Sequence, residues 1–258
     1  MQSIHRVHLA RFRSLALSLA LGAAVLLLSA CPGASTPAPV RPTAEEAPPK
    51  NAPQFIQAHQ RFIERGKQGP VDVLFLGDSI TAGWSKAPDV WQRHYGAWRP
   101  ANFGIGGDRI EDVQWRITHG ELDNIRPRLV ILMLGTNDTG NLNGPQIAER
   151  MRVVVDTLRT RLPNAKVLLL AIFPRGPRNT EPGNIDDARR RMQIIRDAND
   201  RMAGFDDGKN VRFLDIGERF RRNGLIPAEL MPDQLHPSPA GYVIWAEAMQ
   251  PLFEEMMR

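Results

Sequence analysis

The sequence predicts a three-layer α/β sandwich built on a parallel sheet of about five strands. Short apolar runs alternate along the chain with longer segments in which apolar residues recur at helical spacing. The runs are apolar at nearly every position, which is typical of strands that are covered by helices on both faces. Regular alternation of strand and helix then favours a parallel sheet with crossover helices.

The predicted elements begin with an amphipathic helix over residues 54–65. The predicted strands, of which the second is the weakest, are residues 71–76, 101–103, 129–134, 167–172 and 211–216. The remaining predicted helices are residues 109–124, 145–162, 185–205 and 239–257. Ligands of such sheets bind beyond the carboxyl ends of the strands, so motifs at those ends are the functional candidates.

Residues 1–30 have the layout of a secretory signal peptide: a basic start, an apolar stretch and small residues at the end. The apolar stretch is too short for a transmembrane helix. It ends at Leu-Ser-Ala-Cys, a run that resembles the bacterial lipoprotein processing site and contains the only cysteine of the chain, Cys31. The resemblance implies that Cys31 carries a lipid anchor. An ordinary cleaved signal with a chance cysteine is the alternative.

Residues 31–53 form a predicted spacer, because seven prolines fall among the 22 residues from Pro32 to Pro53. Residues 54–258 then make one predicted domain. The net charge of +5 includes three arginines of the leader, so the chain from Cys31 onward carries 5 − 3 = +2, which indicates no nucleic-acid partner. We expect a protein of the cell envelope that is held at a membrane by lipid and faces the periplasm or the exterior.

The first predicted strand continues directly into Gly77-Asp78-Ser79. A serine at this point can present its hydroxyl in the crevice of the sheet, with its own backbone N–H aimed at an oxyanion. A simple turn with a helix cap is the alternative. The Gly-x-Ser-x-Gly elbow of the α/β-hydrolases is absent, because Thr81 stands two residues after Ser79.

Near the C-terminus, Asp233 precedes His236 by three residues in a proline-bounded loop. This spacing lets the carboxylate accept from one ring nitrogen while the other faces a nucleophile, as a general base requires. A lone histidine is commonly structural. Of six histidines, only His236 has a carboxylate so placed after the last predicted strand.

Two further strand ends offer donors for an oxyanion hole. Gly106 lies in a glycine loop after the second predicted strand, and Asn137 follows the third. For the Gly106 loop the alternatives are a plain glycine turn or a nucleotide-binding loop, although the third glycine of the dinucleotide motif is missing. For Asn137 the alternative is an ordinary turn at the end of a strand.

Gly77-Asp78-Ser79, Gly106, Asn137 and the Asp233/His236 pair, in this order, resemble the four sequence blocks of the SGNH (GDSL-type) hydrolase family, from about residue 71 onward. Longer strings are similar to its branch with the platelet-activating-factor acetylhydrolase catalytic subunits, although Asp138 stands where several of those have asparagine. The resemblance implies a flavodoxin-like fold and cofactor-free hydrolysis of esters through an acyl-enzyme, without a metal. Ser79 would be the nucleophile, His236 the base and Asp233 its orienting acid. Ser79 N–H, Gly106 N–H and the Asn137 amide would form the oxyanion hole.

Several alternatives stay open. The substrate could be a short acyl group on a glycan, an acetyl ester of a lipid or a lysophospholipid, and an alcohol in place of water would give an acyltransferase. A non-catalytic envelope binding protein is the rival from another class. A group of aromatic residues after the nucleophile could line the site or belong to the core: Trp84, Trp91, Tyr95 and Trp98. The oligomeric state is open.

Overall fold

The computed structural model describes residues 48–50, 52–177 and 183–258. Its five strands are β1 Val73–Gly77, β2 Pro100–Gly104, β3 Leu129–Met133, β4 Lys166–Leu170 and β5 Val211–Leu214. They form one parallel sheet in the order β2-β1-β3-β4-β5, with β1 paired to β2 and β3 over its whole length. The predicted fold class is confirmed. The predicted signal peptide, Cys31 and most of the predicted spacer lie outside the described residues.

The helices are α1 Pro53–Lys67, α2 Ser79–Ala82, α3 Pro88–Tyr95, α4 Ile110–Thr118, α5 Gly144–Arg161, α6 Gly183–Ala203 and α7 Pro239–Met257. Among the described residues, every helix falls short of what a transmembrane segment needs in length or apolar character.

Two hydrophobic cores lie on opposite faces of the sheet, as the alternation of side chains along a strand requires. From β1, Leu74 and Leu76 join a core with α4, α5 and α6. Val73 and Phe75 join the other core, with α3 and α7. The three inner strands β1, β3 and β4 are therefore covered on both faces, which explains why they are apolar at nearly every position, whereas the edge strands β2 and β5 are only partly buried.

The predicted helix over residues 109–124 is too long, since α4 ends at Thr118. Gly120 has a φ of +105°, in the left-handed region that only glycine adopts readily, so the chain turns there. The turn brings Glu121 back to the buried side of α4, where it pairs with Arg116. A short helix, α3, was not predicted.

The aromatic residues after Ser79 belong to the core. Trp84 and Tyr95 are at most 2 % exposed and pack against each other in an edge-on arrangement, with ring centroids 5.4 Å apart. Trp91 and Trp98 pack partly buried against the same cluster. The core interpretation of this group is therefore the one that fits the structure.

Candidate active site

Ser79 is the first residue of α2 and is separated from the end of β1 by Asp78 alone. The turn depends on Gly77, because a Cβ there would lie 2.2 Å from the Met133 carbonyl oxygen and 2.3 Å from Thr81 Oγ1. Asp78 caps the short helix by accepting the Ile80 N–H at 2.9 Å. The strand thus ends in a tight turn that leaves Ser79 half-buried at the carboxyl edge of the sheet.

A hydrogen-bonded chain joins the three residues predicted to form a triad. Ser79 Oγ lies 2.8 Å from His236 Nε2. His236 Nδ1 lies 2.7 Å from Asp233 Oδ2. Since a carboxylate only accepts, Nδ1 carries the proton toward Asp233, and Nε2 is then free to accept from the serine hydroxyl.

The turn from Asp233 to His236 fixes this geometry. Asp233 Oδ1 accepts the backbone N–H of His236 at 2.7 Å and that of Leu235 at 3.2 Å. Gln234 takes a φ of +61°, and its carbonyl accepts the Gly176 N–H from the loop after β4 at 2.8 Å. The histidine is therefore held by a compact turn that is itself tied to the sheet.

The charge of Asp233 is stabilised within this turn. Burial raises its pKa, but the backbone N–H of His236, the imidazole N–H and the Leu235 N–H all donate to the carboxylate, and together they lower the pKa to about 2. Asp233 is thus ionised throughout the neutral range, as the acceptor of the imidazole proton must be.

Gly106 and Asn137 lie on the two neighbouring strand ends. Gly106 is exposed in the loop after β2, and a Cβ at this position would meet no atom within 4 Å. Asn137 follows β3 in a tight turn, and its Nδ2 donates to the Asp108 carbonyl at 2.8 Å. An amide has two N–H donors, so one remains for a ligand. The main-chain N–H groups of Ser79 and Gly106 donate to no residue in the described part of the chain.

Three carboxyl groups around these residues are buried, which the sequence did not predict. Burial raises the pKa of Asp78 to about 7 and those of Asp108 and Asp138 to about 6. Asp138 accepts the Ile110 N–H at the start of α4. The fully buried Arg116 pairs with Asp108. The one sequence signal of this buried cluster was Arg116, a charged residue on the apolar face of the predicted helix over residues 109–124.

Metal-binding clusters of three or more His, Cys, Asp or Glu side chains do not occur in the described ranges. The site as described therefore consists of a serine, an imidazole, a carboxylate and hydrogen-bond donors. Such groups suit nucleophilic attack on a carbonyl with stabilisation of the resulting oxyanion.

Residues 75–244 match the model of the GDSL-like Lipase/Acylhydrolase family. The chain is 31% identical over 228 residues to human platelet-activating factor acetylhydrolase IB subunit alpha2, covering 88% of this chain and 93% of the relative. It is 30% identical over 226 residues to bovine subunit alpha1 of the same name, covering 87% and 90%.

Among solved structures, a putative acylhydrolase of Bacteroides fragilis superposes with a TM-score of 0.64 at 22% identity, covering 77% of this chain and 97% of that one. A GDSL-like lipase of Bacteroides thetaiotaomicron gives a TM-score of 0.63 at 20% identity, covering 76% and 97%. At these identities the two structures establish a shared fold.

Proposed function

Because the chain belongs to the GDSL-like lipase/acylhydrolase family and is a carboxylic ester hydrolase, we propose that it cleaves short-chain acyl esters, acetyl esters above all, with Ser79 as nucleophile. The observation that carries the proposal is the chain of hydrogen bonds from Ser79 Oγ through His236 to Asp233, at 2.8 Å and 2.7 Å. No cofactor enters the proposed reaction.

In the first half of the reaction, Ser79 Oγ attacks the ester carbonyl while His236 Nε2 takes the hydroxyl proton. Asp233 holds the imidazole in the tautomer that leaves Nε2 free, and its charge stabilises the imidazolium that forms. The low pKa of Asp233 supports this role, because a proton on the carboxylate would remove the acceptor of the Nδ1 hydrogen.

The tetrahedral intermediate carries a negative charge on the former carbonyl oxygen. We assign its stabilisation to the Ser79 N–H, the Gly106 N–H and the second N–H of the Asn137 amide. Preorganised donors of this kind are worth more than donors in water, since they need not reorient as the charge develops.

Collapse of the intermediate expels the alcohol, which takes its proton from His236 and leaves an acyl group on Ser79. His236 then removes a proton from water, and the resulting attack releases the acid and restores the serine. An acceptor alcohol in place of water would transfer the acyl group. Product analysis with added alcohol measures that partition.

The names of the relatives support acetyl as the acyl group, since both are platelet-activating factor acetylhydrolase subunits. A lipid that carries an acetyl ester is then one source of substrate. Acetylated glycan is the other source, and it is favoured by the proposed position in the envelope. Both present the same acetyl ester to Ser79.

The test is hydrolysis of p-nitrophenyl esters from acetate to octanoate by the wild type and by Ser79→Ala. We expect a maximum at acetate and a loss of several orders of magnitude in kcat in the variant. A maximum at long chains would overturn the preference for acetyl. Turnover that persists in Ser79→Ala would overturn the assignment of the nucleophile. Release of acetate from acetylated glycan and from acetylated lipid would then be compared directly.

We also propose that Cys31 carries a lipid that anchors the protein in the cell envelope, with residues 1–30 removed. The basic start, the apolar stretch and the position of the single cysteine support this. Mass spectrometry of the mature N-terminus from membranes is the test. A lipid-modified Cys31 that is lost in Cys31→Ala is the expected result, and an unmodified N-terminus would contradict it.

A further inference from the structure

A buried arginine holds the loop that carries Gly106. Arg116 on α4 has no exposed surface. Its Nη2 donates to the carbonyl of Phe103, within β2, at 3.1 Å, and its Nε donates to Asp108 Oδ2 at 3.0 Å. The Arg116 side chain therefore hydrogen-bonds to residues on both sides of Gly106.

Asp108 connects two of the three candidate oxyanion donors, the Gly106 N–H and the Asn137 amide. It lies two residues after Gly106, and its carbonyl oxygen accepts the Asn137 amide at 2.8 Å. Its side chain is fully buried. Any shift of Asp108 therefore moves the Gly106 N–H and the Asn137 amide together.

The second cation on Asp108 comes from the segment before α1. Lys50 Nζ lies 3.1 Å from Asp108 Oδ1 and 3.6 Å from Asp112 Oδ2. Its side chain is 30% exposed and its ammonium lies 5.5 Å from the centroid of the Phe55 ring. The position precedes the family-matched region, residues 75–244, by 25 residues.

Each oxygen of the Asp108 carboxylate therefore pairs with its own cation: Oδ1 with Lys50 and Oδ2 with Arg116. A buried carboxylate that loses a partner keeps the cost of its desolvation without the compensating attraction. The loop would then rearrange to bring water to Asp108, and the rearrangement would move the two donors away from where the oxyanion forms.

We propose that Lys50 is a positioning residue for the oxyanion hole, which acts by holding Asp108 and through it Gly106 and Asn137. The inference rests on the proposed function. The described contacts of Lys50 are with Asp108, Asp112 and the Phe55 ring, and its proposed role is exerted through Asp108. Since an oxyanion forms only after attack, misplaced donors lower kcat and leave KM nearly unchanged.

The experiment compares the full-length protein in detergent with Lys50→Met, Lys50→Arg and the control Lys67→Met, on p-nitrophenyl acetate. Lys67 is exposed at the end of α1 and pairs only with Glu64 in the described residues. We expect kcat to fall about tenfold in Lys50→Met, less than the ~100-fold cost of removing an oxyanion donor outright. We expect KM to stay within about twofold, Lys50→Arg to recover most of the activity, and Lys67→Met to match the wild type.

An unchanged kcat in Lys50→Met would overturn the inference and leave the proposed function intact. So would a matching rise in KM, or no recovery in Lys50→Arg, because either result indicates a general packing defect. Turnover in the wild type that does not depend on Ser79 would overturn both. Hydrogen exchange over residues 104–109 gives a readout without turnover, and we expect faster exchange there in Lys50→Met alone.

Discussion

The substitution Asp138→Asn tests whether a buried carboxylate opposes folding of this domain. Asp138 is 1 % exposed, and its carboxylate accepts the Ile110 N–H at 3.2 Å, at the start of α4. Burial raises its pKa, while the Ile110 N–H and the charge of Arg109 lower it, and the balance moves it from 3.8 to about 6. An asparagine oxygen can accept the same hydrogen bond without a charge.

The magnitude follows from the difference between the folded and unfolded pKa values. A shift of about two units corresponds to ~3 kcal/mol of folding free energy at pH 7.5. The folded pKa is the higher one, so the folded state binds the proton more tightly. The contribution of Asp138 to stability is therefore fully present below pH 4 and is lost as pH rises to about 6.

An asparagine at this position carries no charge, so it removes the destabilisation that the buried carboxylate causes at pH 7.5. It also buries an NH₂ group that needs a partner, at a cost of about 1–3 kcal/mol. We therefore expect Asp138→Asn to be up to about 2 kcal/mol more stable than the wild type at pH 7.5. The gain should vanish or reverse at pH 4, where the wild-type carboxyl is neutral. The charge of Asp138 also raises the pKa of Asp78, so its removal in Asp138→Asn relieves Asp78 as well and adds to the gain at neutral pH.

The assay is urea unfolding at several pH values between 4 and 7.5. Asp156→Asn is the control, because it removes an exposed carboxylate on α5. A gain that is the same at every pH would refute the reasoning. So would a wild-type advantage that grows from pH 4 to 6, since attraction of the carboxylate to the N-terminus of α4 would then outweigh burial.

Two further changes test the site and its support. Asp233→Asn should lower kcat by a factor on the order of 10³–10⁴, because an amide favours the wrong imidazole tautomer, and should also lower stability at neutral pH, because the folded state stabilises the Asp233 charge; a loss of kcat under tenfold would contradict the role of Asp233. Tyr242→Phe removes the bond from the buried phenol to the Ile80 carbonyl at 2.6 Å and should destabilise the domain by about 1–2 kcal/mol in urea unfolding. No loss of stability would mean that this bond does not hold α2 against α7.

Most of the fold was predictable because it rests on local patterns. Strands buried on both faces are apolar throughout, and amphipathic helices repeat at their own period, so element type and order follow from the chain alone. The helix α3 escaped prediction, since its eight residues are mixed in polarity. The end of α4 escaped because a single glycine, Gly120, sets it.

The sequence also predicted that Ser79, His236 and Asp233 lie close together, because each belongs to a short motif and the motifs fall where parallel strands end. Parallel strands bring their carboxyl ends to one edge, so residues far apart in the chain meet there. Ser79 and His236 are 157 positions apart and lie within 2.8 Å.

Only the tertiary structure shows which residues hold the candidate site in place. Lys50 meets Asp108 across 58 positions, and Arg116 reaches the Gly77 carbonyl across 39. In the sequence Lys50 and Asp108 look like surface charges, and Arg116 differs from them only in its place on the apolar face of a predicted helix. Their roles arise because folding removes them from water, and a buried charge must then find a partner wherever packing has placed one. Periodicity encodes which face of an element is buried, whereas the pairing of buried charges depends on how the elements meet.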